Sequence, residues 1–248
     1  ENSIFQRACL YTTELPWCYK GVIHEYLTTH PETPVSMGYL SGPYIRVHKD
    51  GHDNSKEKYE EHVKLLESEL KKDPNNTRNV FYLAQSYRDS GQYEKAFETY
   101  LKRSEMEGWI EEVFYSFYQC GRLAASLNKE QEEVLCWFLK AYNILPIRAP
   151  EALGRLMMYL NQQELYVLSN LFGQKAMESM ITPNQSLFVE TDWYTWRCQY
   201  EYALSCYHTK DYKTALRMFE PLEYNQRVIE IMKPELMKFI DLTKRQLK

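Results

Sequence analysis

Trp17, Gly21, His24 and Glu25 sit together in WCYKGVIHEYL, residues 17–27. An imidazole beside a carboxylate is a pairing from which a general base or a metal ligand can be built. On a β-strand, neighbouring side chains point to opposite faces. His24 and Glu25 can therefore share a pocket only if the strand ends or turns there. From the residues alone, such a pair is more often a hydrogen-bonded structural contact than a catalytic one. Trp17 is equally readable as hairpin core.

The elements that would position these residues change character along the chain. Residues 1–54 read as β-type material. IFQRACLYTT is rich in β-branched and aromatic residues, and WCYKGVIHEYL follows after the breaker ELP. THPETP is a polar turn, and VSMGYLSGPYIRVH resumes an extended pattern that ends at His48. Asn54 or Ser55 can cap a helix.

From residue 56 the period is helical. Tyr59, Val63, Leu66 and Leu70 step by four, three and four. Val80, Leu83, Ala84 and Tyr87 then line one helix, Gly91 marks a turn, and Tyr93, Ala96 and Tyr100 line the next. This spacing resembles a tetratricopeptide (TPR) repeat, with Gly108 where the repeat usually carries Pro. Three further pairs are predicted. They run from EEVFYSFYQC to Pro146, from APEALGRL to the stretch before Ile181, and from WYTWRCQYEYALSCYH to FEPL. The charged tail KPELMKFIDLTKRQLK caps the stack. Most aromatics of residues 80–220 are expected in the repeat core.

Trp17, Gly21, His24 and Glu25, followed by a linker and FYLAQSYRDSGQYEKA, resemble one arrangement in family 2 glycosyltransferases. There a GT-A catalytic domain ends in a Trp-Gly-His-Glu motif and a TPR-like region follows. The resemblance implies a mainly α fold: an α-α superhelix of TPR-like hairpins (55–248) behind a small β-containing remnant of a GT-A domain (1–54). It implies transfer of a sugar from a nucleotide donor to a glycan or protein acceptor, with a divalent cation, Mn²⁺ or Mg²⁺. Glu25 would be the base and His24 a ligand of the metal-diphosphate. Trp17 and His48 would line the substrate site. The DxD-type acidic motif of that family is missing here. The chain is therefore expected to be a segment of a longer transferase, inactive alone. The competing expectation is a non-enzymatic TPR adaptor that binds a peptide.

The net charge of -4 argues against a nucleic-acid partner, which needs a basic surface. No run approaches the length of a membrane span. The partners expected are therefore a nucleotide sugar and its acceptor, or a protein, or a second copy through the repeats. None of the six cysteines shows CxxC spacing. Cys120, Cys136, Cys198 and Cys206 read as small core residues. A Cys9–Cys18 disulfide is disfavoured, and a reducing, cytoplasmic setting is expected.

Overall fold

The computed structural model describes residues 3–4, 11–30, 38, 55–183 and 187–248. Apart from Gly38, the extended stretch predicted over 35–48, His48 included, lies outside the described residues, as does Cys9. The chain divides into two compact units, Gln6–Thr99 and a second made of Glu1–Phe5 with Tyr100–Lys248.

The first unit opens with two antiparallel strands, β2 (Trp17–Lys20) and β3 (Tyr26–Thr29), with Trp17 opposite Thr29 and Lys20 opposite Tyr26. The turn between them needs a left-handed backbone, which Gly21 supplies at φ 113°. Helix α1 (Lys56–Lys72) starts where Ser55 Oγ accepts from the Lys58 amide at 3.2 Å. Glu57 in its first turn and Lys71 and Lys72 in its last suit the helix dipole. Of the predicted stripe, Val63 and Leu66 are buried. Asn76 caps α2 (Thr77–Asp89), accepting from the Asn79 amide at 3.0 Å. Tyr87 of α2 donates to Glu67 of α1 at 2.5 Å. The chain reverses at Gly91, φ 82°, and enters α3 (Tyr93–Ser104).

In the second unit the helices are α4 (Ile110–Ser126), α5 (Gln131–Ile144), α6 (Ala149–Gln162), α7 (Tyr166–Met177), α8 (Cys198–His208), α9 (Tyr212–Phe219) and α10 (Gln226–Gln246). Each packs on the next in order, as stacked helical hairpins do. The close approach rests on small residues facing large ones. A Cβ on Gly154 of α6 would stand 2.5 Å from the Trp193 ring, so only glycine admits that indole. A five-residue wide turn, Trp193–Arg197, leads into α8. Helix α10 kinks at Met232, two residues before Pro234, whose ring cannot continue the hydrogen-bond ladder.

The predicted helical pairs are therefore present, in the predicted places. Two core assignments need correction. Tyr93 is 46% exposed, because it begins α3 and has no preceding turn to pack on. Cys136 is exposed: the buried stripe of α5 is Val134, Phe138 and Ala141, and position 136 falls off it. Cys120, Cys198 and Cys206 are buried, and neither they nor Cys18 is in a disulfide.

Strand β1 (Ser3–Ile4) pairs antiparallel with β4 (Val189–Glu190), Ser3 opposite Glu190 and Ile4 opposite Val189. Strands among the described residues amount to these two two-stranded sheets. A remnant of a GT-A α/β domain is not what they form.

Candidate interaction site

His24 and Glu25 do lie where the strand turns, in the loop between β2 and β3. His24 has a left-handed backbone at φ 49°. Its ring stacks on Tyr82 of α2 at 4.3 Å and stands 6.1 Å from His62 of α1. Arg78 donates through Nη2 to the His24 carbonyl at 2.8 Å. Its guanidinium also covers the rings of Tyr26 and Tyr82 at 4.7 and 4.8 Å. Burial, His62 and Arg78 all lower the His24 pKa, and Glu25 only partly opposes them.

This is the geometry of a latch, by which the hairpin tip holds on to the first helices of its unit. A divalent cation does not fit it. The groups around the imidazole are an aromatic face, a second imidazole and a guanidinium. Among the described residues no three His, Cys, Asp or Glu side chains gather as a metal site needs. Glu25 is exposed. Trp17 donates through Nε1 to the Thr12 carbonyl at 2.5 Å and packs on Tyr11 at 5.5 Å, closing its own loop.

The concentration of buried charge lies in the second unit, where sequence reasoning placed only core. Residues 187–190 lie against the helical array: Leu187 and Phe188 form a turn, with Phe188 left-handed at φ 48°, Val189–Glu190 are extended, and side chains of α4, α6 and the short turn Pro146–Arg148 before α6 meet their main chain. Arg148, fully buried, donates through Nη1 to the Leu187 carbonyl at 2.8 Å and through Nη2 to the Phe188 carbonyl at 3.4 Å. Glu111 accepts from the Leu187 amide at 3.3 Å, and Glu151 accepts from the Glu190 amide at 2.9 Å. Arg148 is held in turn by both carboxylates, at 2.6 and 2.7 Å from Glu151 and 2.7 Å from Glu111. Tyr194 donates to Glu151 at 2.7 Å. The Phe188 ring rests 5.3 Å from Tyr115.

The end of the segment is fixed by its own side chain. Glu190 accepts from Arg155 at 2.6 Å, from Arg122 at 3.2 Å and from Trp193 at 3.0 Å. Burial pushes its carboxyl up, but Arg155 and Arg122 outweigh that and hold it below the usual range. Arg155 also donates to the Tyr118 hydroxyl at 2.9 Å. Charges this far from water persist only when paired, and here the pairings also fix the turn at Leu187–Phe188 and the strand that follows it. Sequence reasoning missed Arg148, Glu151, Arg155 and Glu190 because charged residues default to the surface. The one local signal was the Arg148–Glu151 spacing of three residues.

No family model matches the chain, and no curated protein matches it. Solved structures do. The crystal structure of MamA protein covers 71% of this chain and 88% of its own, at TM-score 0.54 and 16% identity. YrrB, described as a TPR protein with an unusual peptide-binding site, covers 76% of this chain and 84% of its own, at TM-score 0.51 and 16% identity. BtubC (BKLC) from P. vanneervenii covers 77% of this chain and 82% of its own, at TM-score 0.57 and 13% identity. At these identities the likeness shows the fold, a TPR-type helical repeat. It also corrects the resemblance to family 2 glycosyltransferases. The structures matching most of the chain are helical-repeat proteins, nothing among them points to a GT-A domain, and His24 of the motif stacks on Tyr82 of α2. Among the described residues no helix is long and apolar enough to cross a membrane.

Proposed function

We propose that this chain is a non-enzymatic TPR-type protein-interaction adaptor whose second unit recognises extended peptide. The observation that carries this is the way Arg148, Glu111 and Glu151 of the helical array satisfy main-chain groups of segment 187–190. Those three side chains are buried and committed to this segment, and they show how the array can hold peptide main chain through side-chain donors and acceptors, a mode that gives affinity without fixing every side chain. The peptide-binding site named for YrrB supports the same reading. The test is selection from a random peptide library displayed on phage, using the folded chain as bait. A recurring consensus is expected, whose synthetic peptide protects amides of the second unit from hydrogen exchange. Selection that returns no consensus, with the bait shown to be folded, refutes the reading.

A further inference from the structure

Helix α7 is packed with its small side inward. Ser169, Gly173 and Ala176 are its buried residues, and it packs on α6 and α8. Close approach leaves room for nothing larger: a Cβ on Gly173 would stand 2.4 Å from the Tyr202 ring of α8 and 2.8 Å from Met157 Sδ of α6. Large apolar side chains are left outside. Val167 is 75% exposed, Leu171 60% and Leu168 38%. Spaced by three and four, they form one ridge. Helices α5 and α9, each second in its hairpin as α7 is, expose Glu132 and Lys140, and Lys213 and Arg217, instead. Single exposed apolar residues are ordinary, but three on one ridge mark an interaction face.

The charges at the two ends of the ridge point to what covers it. Glu164 stands four residues before Leu168, and Lys175 four residues after Leu171. Both are exposed. Turned end over end, the order acid, Leu, Leu, base becomes its own complement. A second copy laid antiparallel, on a two-fold axis between Leu168 and Leu171, sets leucine against leucine and Glu164 beside the partner's Lys175. Such self-complementarity is what a two-fold interface requires, and ridges spaced by four residues pack on their like. Lys175 also pairs with Glu178 of its own chain at 2.5 Å, but both are more than half exposed. An exposed pair contributes little, and the ammonium has donors for a second carboxylate.

We propose that the outer face of α7 is a homodimer interface, in which Val167, Leu168 and Leu171 of two copies pack antiparallel between two Glu164–Lys175 pairs. It stands apart from the peptide reading, which rests on Arg148, Glu111 and Glu151.

The test is sedimentation equilibrium of the whole chain from about 10 µM to about 1 mM, because a face this small belongs to the transient class, below about 1,200 Å² in total. A monomer–dimer equilibrium is expected, weakened by salt at about 0.5 M. Leu171→Gln, with Val167→Gln as a second variant, is expected to weaken it about tenfold or more. Both positions are exposed, so the fold is kept. Glu164→Lys and Lys175→Glu are each expected to weaken it about tenfold, because each sets like charges together at both ends of the interface. The left-handed backbone at Glu164, φ 59°, accepts lysine, as Lys210 shows at φ 65° in the turn before α9. An equimolar mixture of the two charge variants matches opposite charges again and is expected to dimerise as the wild type does. A wild-type chain that stays monomeric at about 1 mM overturns the proposal and leaves the face to a different protein. A dimer that neither glutamine variant weakens lies elsewhere and overturns it. A mixture that associates no more tightly than its components overturns it too. Peptide selection is read separately and stands or falls by itself.

Discussion

Glu201 on α8 makes a sharp test of how burial governs charge in this fold. Glu201 is 9% exposed, and its contacts include Asn161, which donates at 2.9 Å. Burial raises its pKa from 4.5 to about 7, and Glu235 adds to that. Asn161, Arg197 and Arg155 pull the other way and do not prevail. A carboxyl with a raised folded-state pKa binds more protons folded than unfolded between pH 4.5 and 7. Stability therefore falls as pH rises through that window and levels off above it. At about 1.4 kcal/mol per decade of proton affinity, the loss is about 3 kcal/mol. Glu201→Gln removes the titration and keeps an acceptor for Asn161. Urea denaturation followed by tryptophan fluorescence at several pH values should show the stability gap between variant and wild type widening in the variant's favour by about that amount from pH 4.5 to pH 8. Comparing the widening, not the absolute gap, cancels any fixed packing effect of the new amide. Parallel curves would mean that Arg197 and Arg155 keep Glu201 ionised, and the burial argument would fail.

Three further outcomes follow from the packing. Gly154→Ala should destabilise the second unit by about 1–3 kcal/mol, the range for overpacking a filled core, because its Cβ would meet the Trp193 ring at 2.5 Å; a denaturation midpoint equal to wild type would contradict the contact. Arg148→Met should cost about 3–5 kcal/mol by leaving Glu111 and Glu151 facing each other unpaired. It should also expose the 187–190 amides to exchange, and retained protection there would show that the clamp does not hold the segment. The His24 ring should titrate below 6.5 by NMR, and Arg78→Gln should move its midpoint upward. Because the folded-state pKa is lowered, docking of the hairpin weakens as pH falls through 6.5. Exchange at 17–29 that is independent of pH-linked undocking would count against the latch.

The helical part was legible because its signals are local. The Val80–Leu83–Ala84–Tyr87 spacing, the Gly91 turn and the Ser55 cap each act within one or two turns of chain, and the structure places α1 to α3 accordingly. The Trp17–Leu27 stretch was legible as β-type material, and the residues leave open whether it turns at His24; the structure turns it there. Its role was not legible, because whether an imidazole is a ligand or a stacking partner depends on what stands opposite. Tyr82 and Arg78 stand opposite, more than fifty residues away in sequence.

By itself, then, the sequence determined where the helices begin and turn, which faces they bury apart from Tyr93 and Cys136, and that they stack as repeats. These follow from periodicity and from capping chemistry carried by neighbouring residues. Tertiary structure alone decided that Arg148, Arg155, Glu151 and Glu190 are interior and that a segment near residue 190 crosses α4 and α6. Arg148 and Glu111 are 37 residues apart, and Arg155 and Glu190 are 35. A charge belongs inside a protein only when its counter-charge arrives from elsewhere in the chain, and no local pattern records that arrival.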